Sequence, residues 1–384
     1  MKSATTKLSL LASVALFALP AMADIKIGVT LSTTGPAASL GIPEKNTFEM
    51  MPDEIGGEPV EYIILDDASD TTAARHNVEK LISEDNVDVV IGSTTSPNSL
   101  AMIEVVAENA TPMISLGAAA VIVTPQDEQK SWVFKTPYND GIIARTIANH
   151  MADTGKTRVG VIAFNDAYGE SWVAEFNGAV EEAGIEIVVD ERYNRTDTSV
   201  TAQTLKIMAQ DPDAVLVIGS GTPAVLPQAT LRERGYEGEI YQTSGVINDD
   251  FLRVGADAVE GTFLPAGPVI VYDELPEDHP AHAPAKEYAE AYEAAFGEGS
   301  LSTFGGNAWD AMLIVKTAVP GALEVAEPGT PEFRAALRDQ IAAIENLPTT
   351  HGPMTMTTEN HNGYSPDAPV IITITDNDWS YAGN

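Results

Sequence analysis

Two stretches decide the fold: Val90-Ile91-Gly92-Ser93-Thr94-Thr95-Ser96-Pro97 and Val217-Ile218-Gly219-Ser220-Gly221-Thr222-Pro223. Each runs from an apolar strand end through a glycine and a hydroxyl-rich turn to a proline. Proline has a fixed φ and no backbone N–H, which suits the first turn of a helix. Each stretch therefore reads as a join between a strand and the helix that follows it. Around the first copy lie apolar runs at Ile25–Thr30, Val60–Leu65, Val87–Ile91 and Pro112–Leu116, with helical stretches at about Thr71–Ile82 and on to about Glu108. Around the second lie Arg158–Phe164, Ile185–Asp190, Ala214–Ile218 and Glu239–Thr243, with helical stretches near Tyr168–Ala183, Thr201–Ala209 and Pro223–Arg234. Strand and helix in alternation predict a parallel sheet covered on both faces. The echo predicts an α/β chain with two doubly wound lobes. The final third adds helices at Ala283–Phe296, Phe304–Val319 and Pro331–Ile344, but only thin strands at Pro353–Met356 and Val370–Ile374. These make a poor independent core, so they are expected to complete the two earlier sheets, with the chain crossing between lobes more than once.

Charge narrows the function. Among 384 residues, 56 Asp and Glu face 21 Lys and Arg, a net −35. Such a surface repels phosphate backbones and anionic lipid, which argues against nucleic-acid binding and membrane association. The acid is spread along the chain, as on a solvating surface. With no cysteine, disulfides, thiolate metal sites and cysteine nucleophiles are excluded. Lys2 and Lys7, the apolar run Leu8–Leu19 and Ala21-Met22-Ala23 have the layout of a secretory signal peptide over residues 1–23. Its removal would take the net charge to −37, since two lysines and no acids are lost. The expected product is exported and soluble.

Catalytic patterns are missing. Gly219-Ser220-Gly221-Thr222-Pro223-Ala224 fits the dinucleotide fingerprint, but the strand after it, Glu239–Thr243, does not end in the acid that would hold a ribose. There is no nucleophile elbow, P-loop or zinc-protease motif. The histidines (His76, His150, His279, His282, His351, His361) read as surface residues. Asp66, Asp67 and Asp70 read as a strand end and a helix cap in preference to a cation site. The expectation is no enzyme, no cofactor and no metal. What remains is a set of hydroxyl-rich turns, Ser32–Thr34, Ser93–Ser96, Ser220–Thr222 and Thr243–Ser244. In doubly wound sheets such turns lie at the carboxyl ends of the strands, where ligands bind. Helix N-termini there suit a carboxylate, an effect of about 0.3–2 kcal/mol.

The chain resembles the leucine/isoleucine/valine-type periplasmic binding proteins of ABC transporters over essentially its whole mature length. The resemblance rests on Ile25–Gly41, Asp66–Ala74, Val90–Ser99, Asn165–Ser171 and Val259–Gly267, in this order and spacing. It implies two α/β lobes joined by three crossovers, expected near Thr136–Tyr138, Ala266–Val269 and Pro348–His351. Lobe 1 would comprise residues 24–136 and 268–348, and lobe 2 residues 137–267 and 349–384. It also implies a monomer that closes on a small molecule by a hinge and hands it to a membrane permease from the periplasm.

Carried over residue by residue, the family's carboxylate-binding serine falls on Ser96, after Thr95, and its neighbouring backbone site on Gly117-Ala118. The cleft tyrosine of the second lobe falls on Tyr168. Departures bear on the ligand. A threonine that helps hold an amino acid's ammonium is replaced by Ala119, and the acid that pairs with that ammonium by Ser244. A bulky aromatic gives way to Gly221 or Thr222, which would enlarge the cleft. Asp249 and Asp250 look too far along the chain to substitute for the missing acid. A buried ammonium without a partner costs several kcal/mol. The expected ligand is therefore a carboxylic acid without an α-amino group. Phe304 and Tyr138 are placed to stack on a ring, as in the branch associated with aromatic acids. A branched-chain or other amino acid, or a ligand-sensing role beside a membrane receptor, stand as alternatives.

Overall fold

A computed structural model describes residues 24–383, so the expected signal peptide lies outside the described residues. The first sheet is built from β1 (Ile25–Leu31), β2 (Glu54–Ile55), β3 (Glu58–Asp66), β4 (Val89–Gly92), β5 (Met113–Ser115) and β6 (Val133–Lys135). Their order is β2-β3-β1-β4-β5-β6, parallel except for the β2–β3 pairing. The second holds β7 (Arg158–Phe164), β8 (Glu186–Tyr193), β9 (Ala214–Ile218), β10 (Glu239–Gln242), β11 (Phe263–Ala266), β12 (Val370–Thr375) and β13 (Asp378–Gly383). Their order is β13-β12-β11-β10-β9-β7-β8, with β12 and β13 antiparallel. β4 and β9 are buried along their whole length, which explains why they read as unbroken apolar runs.

Helices cover both faces of each sheet. The first carries α1 (Ala38–Phe48), α2 (Thr71–Ser83) and α3 (Ser96–Glu108), and later α9 (His282–Phe296), α10 (Thr303–Leu323) and α11 (Pro331–Ala342). α10 packs on α1 and α11, while α2 packs on α3. The second carries α4 (Asp140–Asp153), α5 (Ala167–Ala183), α6 (Thr201–Met208), α7 (Val225–Glu233) and α8 (Asp249–Gly255), with α4 against α5 and α6 against α7. The closing third of the chain thus adds α9, α10 and α11 to the first lobe and β12 and β13 to the second sheet, whereas the first sheet, expected to be completed too, gains no strand from it. No helix of the described residues is long and apolar enough to cross a membrane.

Three connections join the lobes. The first leaves β6 and enters α4, and the second leaves β11 through a 3-10 turn (Pro268–Glu274) toward α9. The third, from α11 to β12, is longer than the expected Pro348–His351. It doubles back to the free edge of β6, where Lys135 N donates to His361 O and the His361 ring stacks on Phe134. The strand expected at Pro353–Met356 does not form. Met354 alone makes bridges, to Leu347 and Tyr364. Pro353 brings no N–H, and the left-handed Gly352 (φ 119°) turns the chain away from a ladder. β6, β11, β13, α4 and α8 are elements that the periodicity did not single out.

In both sheets the strand order reverses beside the central strand, between β1 and β4 and between β7 and β9. Open α/β sheets bind ligands in the crevice at that reversal. The two stretches quoted at the outset follow β4 and β9, so the echo in the sequence marks the two facing crevices.

Candidate functional site

A cavity of about 580 Å³, mouth included, lies between the carboxyl ends of the two sheets. The first lobe contributes Thr94, Thr95, Ser96, Leu116 and Ala118, with Leu40 from α1. The second contributes Tyr168, Arg195, Ser220, Ser244 and Gly245. Pro137, Tyr138, Gly267 and His351 come from the connections, and Thr303, Phe304 and Asn307 from the start of α10.

The first-lobe wall is a helix N-terminus. Thr95 is the N-cap of α3 and Ser96 its first residue, with Pro97 next. The first N–H groups of a helix have no partner within it and carry its positive dipole end. Ser96 Oγ accepts from Ala119 N (3.0 Å), which leaves its hydroxyl proton to donate. Gly117 makes this approach possible: a Cβ there would stand 2.9 Å from Ser99 Oγ and 3.0 Å from Ser96 N. Behind Ala118, the buried Lys135 ammonium donates to the Ala118 and Tyr138 carbonyls (3.2 Å for Tyr138). Burial pushes its pKa down, and Asp140 and Glu175 oppose the shift.

The opposite wall carries a cation that the sequence reading missed. Arg195 follows β8 in the loop Asn194-Arg195-Thr196-Asp197. Its Nε donates to Asp166 Oδ2 (2.6 Å) and its Nη1 to Ser220 Oγ (2.7 Å), while the guanidinium lies 4.2 Å over the Phe164 ring. Nη2 has no partner among the described residues. The side chain is 16% exposed. Asp166 also caps α5 through Tyr168 N (2.9 Å) and Gly169 N (3.1 Å), so one carboxylate fixes both Tyr168 and Arg195.

Three rings line the cavity, and both tyrosine hydroxyls are engaged by protein acceptors. Tyr168 OH donates to Thr243 Oγ1 (2.8 Å), and Tyr138 OH donates to His351 O. Burial holds both phenols well above their usual pKa. Phe304 supplies the third ring. Behind this wall runs a polar chain. Thr303 Oγ1 meets His351 Nε2 (2.9 Å), and His351 Nδ1 meets Asp310 Oδ2 (2.8 Å). Asp310 also accepts from Thr350 N (2.8 Å) and Thr350 Oγ1 (3.0 Å).

No acid among the described residues lines the cavity. Carboxylates stand one layer back, each engaged: Asp166 with Arg195, Asp310 with His351, and Glu44 with Thr94 Oγ1 (2.5 Å). Burial, aided by the charge of Asp67, raises the Glu44 pKa well above the usual carboxylate range. Asp140 bridges the lobes: its Oδ2 accepts from Ala120 N (3.2 Å) and Ser171 Oγ (2.6 Å), and Ala120 N also reaches Ser171 Oγ (3.2 Å). Burial raises the Asp140 pKa too.

Of the residues expected at the site, Thr95, Ser96, Ala118, Tyr138, Tyr168, Ser244 and Phe304 come together around the cavity. Gly117, Ala119, Gly221 and Thr222 do not line it. Gly117 and Ala119 lie just behind Ser96. Gly221 is a contact between lobes: a Cβ there would stand 2.7 Å from Leu40 Cδ1 and 2.9 Å from Ser39 Oγ. Gly221 thus faces α1 and, like Thr222, does not line the cavity that it was expected to enlarge. Asp249 and Asp250 open α8, outside the cavity. Asp70 caps α2 through Ala73 N (2.8 Å), and no metal-binding group of acids and histidines occurs among the described residues. The surface assignment of the histidines fails for two of them. His351 (1% exposed) and His361 (3%) are buried, held by Asp310 and by the Val133 carbonyl. The only advance signals for Arg195 and His351 were their places, one just past a strand end, the other in a connection.

A family model described as periplasmic binding protein matches residues 24–372. The Leu/Ile/Val-binding protein BraC3 of Rhizobium johnstonii is 29% identical over 267 residues, which cover 68% of this chain and 72% of that protein. The crystal structure of an extracellular ligand-binding receptor from Rhodopseudomonas palustris HaA2 is 45% identical, with a TM-score of 0.91 over 94% of this chain and 99% of its own. An R. palustris solute-binding protein of an ABC transporter, solved in complex with benzoate, is 21% identical with a TM-score of 0.80, covering 94% and 96% of the two chains.

Proposed function

The chain belongs to the periplasmic binding protein family, and from that premise we propose that it captures a small carboxylate, an aromatic acid above all, between its lobes. It is a ligand-binding protein and not an enzyme, as its relatives are. The charge of the lining supports the carboxylate most: Arg195 is present and aspartate and glutamate are absent. The ligand's carboxylate meets Ser96, Thr95 and the Ala118 backbone on one side and Arg195 on the other. Its ring meets Tyr138, Tyr168 and Phe304, with offset or edge contacts of about 0.5–1.5 kcal/mol each.

An α-ammonium finds no counter-charge in this lining, so a zwitterion would leave it buried and unpaired at a cost of several kcal/mol. The benzoate complex shares only the fold at its level of identity. That protein's benzoate is consistent with the reading, which rests on the lining of this cavity. The chain is exported through residues 1–23, and its mature form acts as a monomer in the periplasm, closes about its connections on the ligand and delivers it to an ABC permease.

Titration calorimetry with benzoate, 4-hydroxycinnamate and leucine tests the ligand class. Binding of the aromatic acids without leucine is expected. Tight leucine binding with silent aromatic acids would restore the amino-acid reading that BraC3's name carries.

A further inference from the structure

The hinge-side end of the cavity holds an unsatisfied acceptor. Asn307, 6% exposed, lines the cavity, and its Oδ1 has no hydrogen-bond partner. Its Nδ2 donates to Thr303 O (3.1 Å), which sets the amide's orientation, since a flipped amide would turn oxygen against oxygen. Burying such an acceptor without a donor costs about 1–3 kcal/mol. Thr303 lies one helical turn before Asn307, on the same face of α10. Its Oγ1 is tied to His351 Nε2 (2.9 Å), and His351 to Asp310. Whichever of the two donates, the Thr303 oxygen keeps a lone pair. Both residues line the cavity where α10 meets the third connection, and each keeps an unfilled acceptor position.

We infer that Asn307 and Thr303 form a subsite for a hydroxyl hydrogen of the ligand, so that the preferred ligand is a hydroxylated carboxylic acid. An ammonium would also satisfy acceptors, but the lining offers it no carboxylate and sets Arg195 within the same cavity. A hydroxyl brings the donor without the charge. The second polar end also gives direction: the carboxylate goes to Ser96 and Arg195, and the hydroxyl to α10. His351 acts as a positioning residue that holds the Thr303 side chain in register.

This inference rests on the carboxylate reading above, and its test keeps the two apart. Calorimetry compares benzoate with 3- and 4-hydroxybenzoate and with the matching methoxybenzoates, which keep the oxygen and lose the donor. One hydroxy acid is expected to bind about tenfold or more tighter than both benzoate and its own methoxy counterpart. In Asn307→Ala and in Thr303→Val that ratio should fall to within about threefold, with folding checked by thermal melting. Benzoates that all bind equally overturn the subsite and leave the carboxylate reading standing, as does a hydroxyl preference that survives both substitutions. Should none of the five acids bind, the ligand class itself fails and the subsite with it.

Discussion

Arg195→Met isolates the cation that gives the cavity its sign. Methionine keeps an apolar stem over Phe164, where the guanidinium now lies 4.2 Å from the ring. A hydrogen bond from a charged donor contributes about 1.5–3 kcal/mol. At 1.4 kcal/mol per factor of ten, its loss weakens a carboxylate ligand by about 10–150-fold. The substitution also strands Asp166, whose Oδ2 loses its 2.6 Å partner while Oδ1 stays bound to the Tyr168 and Gly169 amides. A carboxylate left unpaired beside the cleft repels an anionic ligand, so the total loss should reach at least about 30-fold. Benzamide, which has benzoate's shape without its charge, should change by less than about threefold. Adding Asp166→Asn removes the repulsion while keeping a good cap, and should recover part of the lost benzoate affinity. Calorimetry of both ligands on the three proteins supplies the numbers. A benzoate Kd that moves by less than threefold in Arg195→Met, or a benzamide Kd that moves as much as benzoate's, would refute the assignment of Arg195 to the ligand's charge.

Ser96→Ala removes both the hydroxyl donor and the acceptor for Ala119 N. It should weaken benzoate by about 1–3 kcal/mol, read by calorimetry; unchanged affinity would take Ser96 out of the site. Ser244→Asp restores an acid to the lining. It should lower affinity for simple acids and, in the same titrations, raise affinity for leucine relative to benzoate; no change in either would mean that this side chain does not face the ligand. Glu44 bears on stability versus pH. Its folded-state pKa is raised by burial, so the protonated form is favoured in the native state. Its contribution is present in full below the unfolded value and is lost as pH rises through that value toward the folded one. Urea unfolding of Glu44→Gln should therefore show a gain over the parent at pH 8 and little or none at pH 4; an equal gain at both would contradict the buried-acid reading.

What could be read from the sequence follows physical locality. β7 and β9 match their apolar runs at both ends, because strands buried on both faces leave an unbroken hydrophobic signature. The turns after β4 and β9 carried their own glycine, hydroxyl and proline signals, and with them came Thr95, Ser96 and the crevice. β6 and β11 are three and four residues long, too short for any periodicity. Arg195 owes its place to Phe164, Asp166 and Ser220, which come from two other βα turns. Composition cannot show such a meeting. His351 is bordered by Thr350 and Gly352 in a loop, and only the fold supplies Asp310 and Thr303 around its ring. Gly221 was expected to enlarge the cleft, yet what its open side meets depended on where α1 lands.

The bridge from Ala120 to Asp140 and Ser171 lies apart from the ligand cavity. Under the proposed closure about the connections, this contact would be made and broken with the lobes, and its free energy would then bear on the fraction of molecules shut before any ligand arrives. Apparent affinity is the intrinsic affinity scaled by that fraction. Residues around the pocket would in that case choose among ligands, whereas a change at this contact would scale the affinity for all of them by one common factor.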